Sequence, residues 1–151
     1  MDVVPGKYDV SPAFHVIEHL ADPVSILSML SALLQPSGKL IVEVPSANDA
    51  LLTLYESEAF QKFTYWSQHL YLFTPDTLKR VGEMAGLKVE KVEQYQRYPL
   101  SNHLHWLSNG APGGHKKWSL IDTPELQQAY ADSLAAMGKC DTLIAHLQLK
   151  E

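Results

Sequence analysis

Two histidines and a glutamate fall within one short stretch, His15-Val16-Ile17-Glu18-His19. An imidazole, with a reference pKa of about 6.5, can take a proton at neutral pH. Imidazole and carboxylate together also form a donor set for zinc or another transition metal. The bland alternative is a turn whose side chains only cap and pack, and spacing alone leaves both open. A second group, His103-Leu104-His105 with the loop Gly113-Gly114-His115, is short of donors for a dedicated four-ligand zinc site. Cys140 is the only thiol, so shaping a pocket or packing is the better reading there.

The first group needs an element to hold it. Val10, Ala13, Phe14, Val16 and Ile17 make an apolar run with little alternation, as in a strand covered on both faces. Pro12 would delete a ladder hydrogen bond, so the strand is expected to fray or end near it. Asp22-Pro23 then opens a helix, with Asp22 as N-cap and Pro23 at the first helical position. A strand whose far end carries polar groups just before a helix is the layout of an α/β ligand site.

The rest of the chain continues in that style. Val24, Ile26, Leu27, Leu30, Leu33 and Leu34 predict a helix stripe lying on a sheet, ended by Ser37-Gly38. Leu40–Val44 predicts a buried strand, and Ser46–Asp49 a polar loop on the same rim as His15 and His19. Ala59–Gln68 is aromatic-rich without clear period. Thr74-Pro75 and Thr123-Pro124 predict two more capped helices, closed by Gly86 and Gly138. Leu87–Val92 reads as a strand exposed on one side, at the sheet's edge. Arg97–Lys117 reads as a long loop, and Thr142–Leu149 as a final strand.

Four pieces of this sequence resemble the class I S-adenosylmethionine-dependent methyltransferases. They are Tyr8–Pro23, Pro36–Pro45, His69–Leu78 and Ala85–Val89, in the family's order. The resemblance implies an α/β fold. Its sheet would be a partial Rossmann-like methyltransferase sheet, with equivalents of strands 4, 5 and 6 and an antiparallel strand 7. Helices flank it, and an insertion of about 97–138 precedes the last strand of a single domain, 1–151. It further implies that Phe14 and His15 lie beside the cofactor and that His19, with Glu18, acts as base toward the acceptor. His69, Tyr71, His103 and His105 would line the substrate side. Ala59–Gln68 corresponds to the family's lid over the substrate, with a plain packed loop as the alternative.

His15-x-x-Glu18-His19 also resembles the Glu-x-x-Glu-His segment of ubiquinone-biosynthesis O-methyltransferases, with histidine in the first place. That change disfavours magnesium, which prefers oxygen donors; no metal is assigned. The family's glycine-rich loop and ribose-binding acid precede this signature, and seven residues precede Tyr8. The chain therefore reads as the C-terminal half of such an enzyme, and S-adenosylmethionine should bind it weakly or not at all. A non-catalytic remnant or interaction module is the alternative function.

The resemblance implies a small-molecule substrate as the partner, and composition argues against two others. A net charge of −5 without a basic run argues against nucleic acid. No apolar run approaches the about 20 residues of a membrane span, and the single cysteine fits the cytoplasm. Without the first half of the sheet, the Tyr8–Phe14 strand would become an edge. Self-association through it is the expectation.

Overall fold

The computed structural model describes Gly6, residues 8–66 and residues 68–150. These residues divide into two compact units. One comprises Met1–Pro45, Leu70–Glu93 and Leu143–Glu151; the other comprises Ser46–His69 and Gln94–Thr142.

The first unit carries a four-stranded sheet in the order β1-β2-β4-β3. Its strands are β1 (Tyr8–Phe14), β2 (Leu34–Pro45), β3 (Leu87–Tyr95) and β4 (Thr142–Leu149). The last residues of β3 and the first of β4 belong to the other unit. β1 and β2 run parallel, in register from Val10↔Lys39 to Phe14↔Glu43. The final strand sits between β2 and β3, and β3 is an edge, as expected of Leu87–Val92.

Helix α1 (Pro23–Ser31) starts where Asp22 Oδ1 accepts the Ser25 N–H at 3.0 Å. Helix α4 (Pro75–Met84) starts with a reciprocal Thr74–Thr77 capping box and is followed by Gly86 at φ 82°. Leu27 of α1 and Leu78 of α4 close one core with Ala13, Leu40, Val42, Leu143, Ala145 and Leu147.

Two expectations fail here for stated reasons. β1 does not stop at Pro12, because it is an edge strand, where a missing donor can face outward. The helix stripe ends at Ser31 rather than running to Leu34. Pro36 keeps the residue before it extended, so Leu34 already pairs with Tyr8 and the chain bulges before Lys39 meets Val10. Gly38 is required in that bulge, since a Cβ there would lie 2.7 Å from the Tyr8 carbonyl oxygen.

The second unit is helical, containing α2 (Ala50–Thr53), α3 (Glu58–Trp66), α5 (Leu100–Asn109), α6 (Gly114–Lys117) and α7 (Pro124–Ala136). α2 follows Asp49 and α7 follows Thr123-Pro124 as expected, while α3, α5 and α6 form where the sequence reads as loop. The Phe60 and Phe63 rings of α3 lie 5.1 and 5.3 Å from Trp106 of α5, so Ala59–Trp66 packs as a helix and not as a loop. The loop expected from Arg97 to Lys117 is α5, a turn and α6. α5 has no cap of its own in sequence: the Ser101 N–H donates to Asp122 Oδ1 at 3.2 Å, from a residue 21 positions on. Gly114 lies so close to Ser101 that a Cβ would come within 1.9 Å of its carbonyl oxygen.

Candidate functional site

In the first unit, β1 ends in a turn that costs backbone energy. His15 has φ 52°, a left-handed conformation that a side-chain-bearing residue rarely takes. The turn leads into a single 3-10 turn at Ile17–His19. Its carbonyls are tied down from outside: Leu70 and Tyr71 both donate their N–H to the Glu18 oxygen, at 2.8 and 3.2 Å. The Tyr71 hydroxyl donates to Ala21 O at 3.0 Å, and its ring lies 5.9 Å from buried Phe73.

This framework places Glu18 fully inside, with 0% exposure, while neither of its carboxylate oxygens has a hydrogen bond among the described residues. What surrounds it is imidazole. His15 Nδ1 lies 3.3 Å and His19 Nε2 3.8 Å from Glu18 Oε1, contacts close enough for ion pairing but outside hydrogen-bond geometry. His15 Nε2 donates to Glu43 Oε1 at 2.9 Å. With both nitrogens protonated the His15 ring bridges two carboxylates; with one, it serves Glu43.

Burying an ionisable group without a hydrogen bond is expensive. A native fold that retains such a group is marked for function or an ion. Glu18, His15 and His19 offer oxygen and nitrogen to a proton in transit, or to a transition-metal cation. His19 is 37% and His15 34% exposed, so a solute can reach either ring but not Glu18.

The structure thus brings Glu18, His15 and His19 together, and Tyr71 braces the same turn. Phe14 is the last residue of β1, its ring exposed. His69 is half-buried, directly before Leu70. Glu43 is the participant that sequence reading passed over. Its only signal is an acid inside the β-branched run of the second strand, since its partner lies 28 positions away.

The second unit holds His103 and His105, both inside helix α5 and both buried. His105 Nδ1 donates to Ala111 O at 2.7 Å, beneath the Trp118 ring. His103 belongs to a chain of polar groups. Asp141 accepts from the Arg97 and Tyr98 N–H groups at 2.9 Å each and from Gln96 Nε2 at 2.9 Å, while Gln96 Oε1 accepts the Asp141 N–H. That reciprocal pair fixes the Gln96 amide, whose Nε2 faces His103 Nε2 at 3.3 Å. His103 Nδ1 is therefore the protonated nitrogen and donates to the Tyr130 hydroxyl at 2.7 Å, which is 2.9 Å from the Tyr55 hydroxyl.

Burial pushes His103 down to about 4, so it stays neutral. Burial, with the Tyr55 hydrogen bond, holds Tyr130 far above the usual phenol range. Burial also lifts Asp49 to about 7, against the Leu51 N–H bond that lowers it and with the Asp141 charge that raises it further. Asp141 is raised as well, chiefly by burial. Burial takes the Cys140 thiol up to about 11, so it is no nucleophile at neutral pH.

Comparison with known proteins gives one family and one fold. A methyltransferase-domain model matches residues 2–92. The chain is 31% identical over 102 residues to ubiquinone biosynthesis O-methyltransferase of Aeromonas salmonicida, covering 65% of this chain and 43% of that protein. It thus spans less than half the length of that curated relative. A SAM-dependent methyltransferase from Thermotoga maritima superposes with a TM-score of 0.61 at 16% identity, over 99% of this chain and 59% of that one. Phosphoethanolamine N-methyltransferase 2 of Haemonchus contortus, in complex with S-adenosyl-L-methionine, superposes with a TM-score of 0.55 at 14% identity. That match covers 99% of this chain and 35% of the other.

Proposed function

The chain belongs to the methyltransferase-domain family, and we propose that it supplies the acceptor side of S-adenosylmethionine-dependent methyl transfer to a small-molecule hydroxyl. The observation that carries this is Glu18, a buried carboxylate without a hydrogen bond, held between two histidines that are each about one-third exposed. The O-methyltransferase relative supports oxygen as the accepting atom.

When bound, the cofactor supplies an electrophilic methyl on a sulfonium. The residues present suit one side of it: Phe14 offers an exposed aromatic face at the carboxyl end of β1. For its ribose, Glu43 is already bonded to His15 and Glu18 is fully buried. This chain's own work is proton handling. His19, beside Glu18, takes the hydroxyl proton of the acceptor as the oxygen–methyl bond forms and the carbon–sulfur bond breaks. Glu18 then faces the imidazolium at 3.8 Å and offsets its charge. His15, braced by Glu43, holds the carboxylate in place.

NMR of the chain with labelled histidine rings, titrated with phenol, tests this directly. The His19 signals should move with phenol while those of buried His105 stay still, and Glu18→Gln should weaken the response. Equal movement of both rings, or none, would reject the reading.

A further inference from the structure

We infer that the recess at the foot of helix α4, where the start of β3 and the end of β4 meet it, binds a phosphate dianion. The site belongs to the first unit and does not rest on the acceptor chemistry proposed above.

Two glycines shape the recess. Gly82 is buried in α4, and a Cβ there would meet Leu147 at 3.0 Å and Val89 at 3.1 Å. Its absence lets the helix settle onto β4 and β3. Gly86, at φ 82°, then turns the chain straight into β3, whose first residue, Leu87, is fully buried. Beside the last turns of the helix this leaves an open recess of about 520 Å³, a size that suits a small ligand. Lys79 and Glu83 of α4 line it, with Leu87, Lys88 and Val89 of β3 and Lys150 after β4.

Charge selects the ligand. Three ammonium groups from three segments face one recess, in a chain of net charge −5. Lys79 lies 3.9 Å from Glu83, with both side chains about half exposed, and such a pair contributes little. Lys88 and Lys150 have no ion pair or hydrogen bond among the described residues. α4 carries no basic residue in its last turn, so its free carbonyls add about half a negative charge at that end. Glu83 and those carbonyls, set against the three cations, leave about one and a half positive charges without a partner. A phosphate group carries roughly −1.5 to −2 at neutral pH and matches that excess; a single carboxylate does not. Further along the groove, Asp76 and Glu90 stand beside Lys79 and Lys91. The positive charge is thus confined to the foot of the helix, which suits one phosphate and not a polyanion. A lysine on an edge strand also discourages pairing with other strands. That accounts for Lys88 alone, since Lys79 and Lys150 lie off β3.

NMR of the whole chain with lysine Cε labelled tests this. Inorganic phosphate is the probe in one arm and glycerol phosphate in the other, each at an ionic strength matched with sodium chloride. The Lys79, Lys88 and Lys150 signals should saturate together at millimolar probe in at least one arm, and the tighter arm tells the free ion from the ester. Lys116 and Lys117, exposed neighbours in the second unit, are the control and should stay still. Replacing both Lys88→Gln and Lys150→Gln should weaken the Lys79 response about fivefold or more. Raising sodium chloride to about 0.5 M should weaken it as well. Absence of saturation in both arms overturns the inference. So does movement of Lys116 and Lys117 with the same half-saturation as the three, which would mean unspecific condensation on surface lysines.

Discussion

Two buried groups of the second unit should cancel each other's effect on stability, and removing either should expose the other. Burial holds the Asp49 carboxyl at about 7 in the folded state, against an ordinary value of 3.8. Between those values the folded state keeps a proton that the unfolded chain has released. Stability therefore falls as pH rises, by about 1.4 kcal/mol per pH unit and about 4 kcal/mol over the window. His103 goes the other way, at about 4 against 6.5. The unfolded chain takes up a proton that the folded state refuses, so stability rises with pH across that range, by about 3 kcal/mol in total.

From about pH 4 to 6.5 the two slopes oppose, and the parent protein should be nearly flat. Asp141, also raised by burial, tilts the balance slightly downward with pH. Asp49→Asn keeps an oxygen that can accept the Leu51 N–H, a 2.7 Å bond in the parent. It should leave the His103 slope: stability climbing by about 1 kcal/mol per unit to pH 6.5. At pH 7.5 the variant, freed of that term, should exceed the parent by up to about 4 kcal/mol. His103→Gln should show the reverse slope at lower overall stability. All three tryptophans, Trp66, Trp106 and Trp118, belong to the second unit, so urea unfolding followed by their fluorescence reads this unit selectively. A parent curve that climbs steeply from pH 4.5 to 6.5, with Asp49→Asn superimposed on it, would refute the reasoning.

Gly114→Ala should cost about 3 kcal/mol or more, since its Cβ would overlap the Ser101 carbonyl at 1.9 Å; tryptophan fluorescence would show the lowered urea midpoint. Asp122→Ala removes the non-local cap of α5 and should lower that midpoint by about 1 kcal/mol. S-adenosylmethionine should bind the chain alone no more tightly than about 1 mM, about −4 kcal/mol. Calorimetry showing micromolar affinity would contradict the one-sided fit at Phe14.

What could be read in the sequence was whatever is local. Asp22-Pro23, Thr74-Pro75 and Thr123-Pro124 carry cap and first helical residue together, and each begins its helix where expected. β4 also matches its expected bounds, because nothing within it competes with extended structure. What was hidden depends on partners far along the chain. α5 looks like loop because its cap is Asp122, and β2 starts early because Tyr8 reaches across to Leu34. In the site, the triplet spacing of His15 and Glu18 was visible, but the burial of Glu18 needs the N–H groups of Leu70 and Tyr71 to pin its turn. The chain His103–Tyr130–Tyr55 joins helices α5 and α7 to the connection between α2 and α3, which no spacing rule links.

The most direct test of the acceptor-side assignment is the transfer of labelled methyl from S-adenosylmethionine to phenol. The enzyme for it is the chain fused behind the cofactor-binding segment of the Aeromonas relative. The account predicts that His19→Gln lowers kcat about 100-fold or more, with little change in KM and with the folded spectrum kept. Parent and His19→Gln turning over within about twofold of each other would contradict it.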